Sequence, residues 1–266
     1  MSTPSDTETE RTVDRAGGTS VRYTVRGPAT GRTWVFVHGW GGRRTDFAEL
    51  ASFLPGEHRV IAVDLAGHGD SRSARESWTM AEFARDVAAV TDAEDVGECV
   101  VAGHSLGGAV AVEFARLRPG AVTQVIGIDS YHYLSIYPAI EESAARQLLE
   151  GFETDFPSAV RGLVEMGSVP GTDPRVGEQV FEKMSSIPPS VGVKALEGLL
   201  RWDMDEALAA VAQPVTTLAV RSLLDPAAVQ RYRDRITFVT HDLGSHNFLI
   251  ERPEETAGLL LDALLT

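Results

Sequence analysis

The chain has 266 residues, 43% of them hydrophobic and 23% charged, with 25 glycines and 13 prolines. That composition excludes disorder over the whole chain and suffices for one sizeable core. Lys and Arg total 24 against 38 Asp and Glu, a net charge of −14, which argues against sequence-independent binding to nucleic acid or anionic lipid, since both need a cationic face.

Residues 1–12 are polar and acidic, with neither a basic start nor an apolar stretch, and are expected to form a disordered tail. No run approaches the roughly 18 apolar residues of a membrane span, so a cytoplasmic protein with no membrane partner is expected. Strands are expected at 20–26, 33–38 and 59–64. The runs Trp34-Val-Phe-Val37 and Val60-Ile-Ala-Val63 are apolar at every position, as strands buried on both faces must be. The first runs into His38-Gly-Trp-Gly-Gly42 and the second into Asp64-Leu-Ala-Gly-His-Gly-Asp-Ser71. A helix over 80–91 precedes a strand over 98–103. The single cysteine, Cys99, lies in that apolar run, so it is expected to be a buried thiol, and it has no partner for an intramolecular disulfide. Gly103-His-Ser-Leu-Gly107 then leads into a helix over 105–117, followed by a strand over 123–129.

From about 130 to 205 the rhythm breaks. Amphipathic segments at 139–152 and 174–184 stand there without a convincing strand. We expect a helical lid, 131–205, inserted into a core made of 13–130 and 206–266. Strands at 215–220 and 236–241 and helices at 226–233 and 254–265 complete the chain. The last helix stands behind Pro253 with Glu254 and Glu255 in its first turn, where the helix dipole favours them. The alternation predicts an α/β fold, a mostly parallel sheet covered by helices on both faces.

The chemistry concentrates at 103–107. A serine at a sharp strand-to-helix turn sits in a strained conformation with its hydroxyl exposed above the sheet. Glycines flank it because side chains there would collide with neighbouring strand and helix. The helix N-terminus behind Ser105 presents backbone N–H groups, chiefly that of Leu106, to a developing oxyanion.

Three further segments agree. His38-Gly-Trp-Gly-Gly42 resembles the oxyanion loop of the α/β-hydrolase superfamily. Asp64 to Ser71 resembles that family's D-x-x-G-x-G-x-S turn. Gly244-Ser-His-Asn-Phe-Leu-Ile-Glu-Arg-Pro253 resembles its histidine segment ahead of a final helix. With the G-x-S-x-G turn these cover about 20 to 265 in the family's order, and the chain is identified as a member of its lid-bearing branch of esterases and carbon–carbon bond hydrolases. The resemblance implies Ser105 as nucleophile, His246 as base, and the N–H groups of Trp40 and Leu106 as oxyanion donors.

For the acid the commoner family arrangement favours Asp225, in Val220-Arg-Ser-Leu-Leu-Asp225-Pro226. It lies 21 residues before His246, a short interval, and Asp129 at the end of Val125-Ile-Gly-Ile-Asp129 is the rival. Either aspartate is equally explained as a helix or turn cap. His38 and His68 are expected to hydrogen-bond structurally, His104 lies on the wrong side of the turn to be the base, and His58, His132 and His241 stay unassigned. Trp40, Tyr131, Tyr133, Tyr137 and Trp202 are candidates to line the pocket, with ordinary packing as the alternative.

The expected activity is hydrolysis of an ester or related acyl bond of a small, apolar substrate through an acyl-enzyme, without cofactor or metal. Carbon–carbon bond hydrolysis, acyl transfer and perhydrolysis use the same scaffold, and a ligand-binding receptor that keeps the triad is the alternative from another class. A serine at 105 counts against the haloalkane dehalogenases and epoxide hydrolases of this superfamily, which use a carboxylate nucleophile.

Overall fold

The computed structural model describes residues 8–137 and 139–264. Among them eight strands form one sheet: β1 (Thr9–Arg15), β2 (Thr19–Arg26), β3 (Thr33–Val37), β4 (Arg59–Val63), β5 (Cys99–His104), β6 (Val122–Ile128), β7 (Val215–Val220) and β8 (Ile236–His241). Their order is β1-β2-β4-β3-β5-β6-β7-β8. β2 pairs antiparallel with β1 and β4, and every later pairing is parallel. The expected α/β architecture is therefore present.

Strand side chains alternate between two cores. Val35, Val37, Ile61, Val63 and Val101 point to one, and Trp34, Phe36, Val60, Ala62 and Val100 to the other. The first core is closed by α2 (Met80–Ala93) and α3 (Leu106–Leu117) through Phe83, Val87, Val110 and Phe114. The second is closed by α1 (Ala48–Ser52), α10 (Phe248–Glu251) and α11 (Pro253–Ala263) through Leu50, Phe248 and Leu260. Each such side chain contributes about 1.5–3 kcal/mol on full burial. Position 265, the expected end of the last helix, lies outside the described residues, as do 1–7.

The tail expected over 1–12 is not met at Thr9–Thr12, which belong to β1. That strand holds one apolar residue, Val13, so no hydrophobic signal announces it. It is recruited by its backbone ladder with β2, by Gly17 and Gly18 at φ 80° and 71° in the turn, and by the ion pair of Arg11 with Glu94 at 2.7 Å.

Between β6 and β7 the chain forms α4 (Glu142–Thr154), α5 (Phe156–Met166), α6 (Pro174–Ser185), α7 (Pro189–Leu200) and α8 (Met204–Ala209). Asp155, Asp173 and Asp203 cap α5, α6 and α8 through backbone N–H groups. α8 straddles the expected boundary at 205/206. It packs on α3. Phe152, Val160, Leu196 and Leu199 of the insertion join the same hydrophobic cluster as the sheet, so the insertion shares the main core. α9 (Pro226–Tyr232) links β7 to β8. Among the described residues no helix is long and apolar enough to cross a membrane.

Candidate active site

The sheet order reverses between β3 and β5, so the loops at their carboxyl ends diverge and leave a crevice, the place where open α/β sheets bind ligands. Ser105 stands there at φ 52° and ψ −119°, a conformation that costs a non-glycine residue about 1–3 kcal/mol. Its neighbours hold it in place. A Cβ on Gly103 would lie 2.0 Å from the Gly107 carbonyl oxygen, and one on Gly107 would lie 2.2 Å from that of Val37. Only glycines let β5, α3 and β3 meet this closely. Ser105 N–H donates to Ile128 O at 3.1 Å, and its carbonyl accepts from Gly108 N–H at 2.9 Å and Ser130 Oγ at 3.0 Å. Leu106 opens α3, where a backbone N–H has no intrahelical acceptor.

The loop after β3 is tied down by His38, whose Nδ1 donates to Gly39 O at 2.7 Å while Nε2 accepts from Leu65 N–H at 3.0 Å. Burial pushes its pKa down to about 4, so the ring is neutral and can hold both roles. His68, with Nδ1 3.1 Å from Ala66 O, is likewise a structural group. A Cβ on Gly39 would come within 2.9 Å of His104 Nδ1 and 3.1 Å of Ser105 Cβ, so this loop sits directly on the serine turn. Trp40 Nε1 donates to Gly192 O of α7 at 2.8 Å, and its ring packs on Phe152 and Phe156 at centroid distances of 5.5 and 5.8 Å. Asp64 closes the next turn by accepting from the backbone N–H of Arg44 at 2.6 Å and of Asp70 at 2.9 Å.

His246 follows β8. Its backbone is gripped from two sides, N–H to Gly167 O at 2.8 Å and carbonyl to His104 Nε2 at 2.9 Å. Its Nδ1 lies 2.6 Å from Asp129 Oδ2, which leaves Nε2 free. The preference for Asp225 is therefore corrected: Asp225 is the N-cap of α9, its Oδ1 taken by Ala227 N–H at 2.8 Å, and the carboxylate beside His246 is that of Asp129. Asp129 is fully buried. Burial alone would raise its pKa, but hydrogen bonds from His132 and His246 outweigh that and hold the carboxyl well below the usual range.

Ser105 and His246 line one cavity of about 100 Å³. Trp40, Tyr133 and Tyr137 also line it. Tyr131 is buried with its hydroxyl on Gly108 O at 2.9 Å, and Trp202 donates to Glu113 at 2.9 Å, so neither belongs to the lining. The sequence reading missed Leu163, Val164, Val180, Met184 and Leu196, which make this wall apolar, and the pair Lys183–Asp46, joined at 2.8 Å. Helical periodicity marks such residues as buried without saying what they face. The hydrogen bonds that His132 and Tyr133 make to Asp129 were also missed, because nothing local to 129–133 announces that the turn folds back on itself.

A model of the alpha/beta hydrolase family matches residues 34–259. The chain is 28% identical over 233 residues, 83% of its length and 85% of the other's, to a putative carbamate hydrolase RutD of Variovorax paradoxus. It is 40% identical over 121 residues, 45% of its length and 44% of the other's, to a non-heme chloroperoxidase of Streptomyces lividans. A thermophilic esterase from Thermogutta terrifontis superposes with a TM-score of 0.80 at 24% identity, covering 97% of this chain and 98% of that one. The enol-lactonase from Burkholderia xenovorans LB400 does so with a TM-score of 0.82 at 17% identity, covering 96% and 100%. At such identities the structural likeness is one of fold. With a family match spanning 34–259 on an eight-stranded, mostly parallel sheet, the chain belongs to the alpha/beta hydrolase family.

Proposed function

We propose that the protein is a serine hydrolase that cleaves an ester or related acyl bond of a small substrate through an acyl-enzyme. The observation that carries this reading is the hydrogen bond from His246 Nδ1 to the buried Asp129, which leaves Nε2 free in the cavity that Ser105 also lines. In this mechanism Ser105 Oγ attacks the substrate carbonyl as Nε2 takes its proton. The Trp40 and Leu106 N–H groups hold the tetrahedral oxyanion. The imidazolium returns the proton to the departing alcohol, and water, deprotonated by the same nitrogen, then releases the acid and frees Ser105. Asp129 stays ionised throughout.

The helices α4–α7 act in this reading as a lid whose inner wall selects the acyl group. A small, mainly apolar cavity supports short acyl chains. Its cation, Lys183, is already paired with Asp46, so it offers little to a substrate carboxylate. Because a relative across most of the chain is a putative carbamate hydrolase, carbamates belong beside esters and lactones among the substrates to be tried.

A fluorophosphonate should label Ser105, p-nitrophenyl acetate should turn over, and Ser105→Ala should abolish labelling and lower turnover by about 10⁴-fold or more. Labelling without turnover on esters, lactones or carbamates would favour a receptor. Activity retained in Ser105→Ala would move the nucleophile elsewhere.

A further inference from the structure

The turn after β6 gathers more donors around Asp129 than one imidazole requires. Asp129 and Tyr131 are both left-handed, at φ 48° and 73°, so the chain doubles back and brings residues 132 and 133 to the carboxylate of 129. Oδ1 accepts from Val220 N–H and from His132 Nε2, each at 2.9 Å. Oδ2 accepts from His246 Nδ1 at 2.6 Å and from the Tyr133 hydroxyl at 2.5 Å. A carboxylate offers about four acceptor sites, and these donors take them all. The Tyr133 hydroxyl also lies 3.2 Å from His246 Nδ1. It has one proton, and Asp129 is the nearer acceptor. Its ring meets the imidazole edge to face, with centroids 5.6 Å apart at 81°.

We propose that Tyr133 is a positioning residue of this site, sharing Asp129 Oδ2 with His246 Nδ1. The inference rests on the serine hydrolase reading. A carboxylate oxygen that already accepts one strong bond is a poorer base toward a second donor. The shared bond therefore fixes the plane of the imidazole and keeps the Nδ1 proton on His246 while Nε2 receives that of Ser105. Without the hydroxyl, charge concentrates on Oδ2, the imidazolium is held more tightly, and its proton passes less readily to the leaving group.

The groups around the pair come from every neighbouring element: His104 at the end of β5, His132 and Tyr137 from the turn after β6, and His241 at the end of β8 with the Arg221–Asp242 pair beyond it. Lys183 and Asp46 line the cavity from α6 and the loop after β3. Tyr133→Phe removes none of these groups.

Tyr133→Phe keeps the ring and its contact with His246. It should lower kcat about tenfold with KM within about twofold, and move the acid limb of the kcat/KM profile up by about 0.5–1 pH unit. A profile superimposable on the parent's, or a loss carried by KM alone, would overturn the proposal and leave Tyr133 a wall of the pocket. Should the variant not fold, proton NMR of the parent decides: a slowly exchanging Tyr133 hydroxyl close to the His246 Nδ1 proton is expected, and its absence overturns the proposal. Ser105→Ala and Asp129→Asn run in parallel keep the two readings apart. If both retain activity the hydrolase reading fails, whereas if both are inactive and Tyr133→Phe is unchanged, only the role of Tyr133 does.

Discussion

Two aspartates that read alike in the sequence differ in what their carboxylates bind. Asp225 precedes a proline and caps a helix of seven residues with its Oδ1 on Ala227 N–H, whereas Asp129 Oδ2 meets His246 Nδ1. Asparagine caps as well as aspartate does. Asp225→Asn should therefore leave kcat/KM within about twofold and stability within a few tenths of a kcal/mol. In Asp129→Asn a donor NH₂ would face one of the N–H or O–H groups that the carboxylate now satisfies, and the imidazole would lose the partner that selects its tautomer. A loss of about 10⁴-fold in kcat/KM is expected, the scale known for such a change in serine proteases. Measuring both variants on one ester checks this. If Asp225→Asn carries the large loss, the acid has been misassigned.

At the scale of elements, the insertion is fastened to the loop after β3 at three points. Trp40 is bonded to α7, Lys183 of α6 pairs with Asp46, and Gly41, at φ 68°, packs so close to Met184 that a Cβ there would lie 2.9 Å from its Cγ. A segment held this way sets the position of the Trp40 N–H as well as the shape of the pocket. Trp40→Phe preserves the backbone donor but drops the indole bond to Gly192. It should cost about 1 kcal/mol of stability and lower kcat several-fold even on p-nitrophenyl acetate. A loss confined to bulky acyl groups, seen by comparing acetate with octanoate esters, would mean that the ring is only a wall.

Across the whole molecule, buried neutral histidines make stability depend on pH. Burial lowers His38 to about 4 and His68 to about 3, and pushes His104 well below its ordinary value. In the unfolded chain these rings take up protons near pH 6.5. Their contribution is therefore fully present above about pH 6.5 and is lost as pH falls toward the folded values, at about 1.4 kcal/mol per histidine for each unit. Asp64 and Asp86, raised by burial, act in the opposite sense at lower pH. Against a typical total of about 5–15 kcal/mol, the thermal midpoint should fall steeply between pH 6.5 and 4.5. A midpoint flat over that interval would contradict the neutral assignment.

How much of this the sequence determined depends on the range of the interaction involved. β3 and β4 were legible because a strand buried on both faces must be apolar at every position, and the turn at Ser105 because the close approach of strand and helix there demands glycines at 103 and 107. His246 was legible as a motif, though what it faces was not. β1 was hidden because it is held by backbone pairing and ion pairs, which leave no periodic apolar trace. The choice between Asp129 and Asp225 was undecidable locally, since both follow a strand and both read as caps. Only the tertiary structure sets one of the two beside His246, by laying β6 beside β7 so that Val220 N–H meets Asp129 Oδ1 and bringing the loop after β8 across to the same carboxylate. A hydrogen bond between residues 117 apart in the chain is a property of the assembled sheet, and no segment of the sequence contains it.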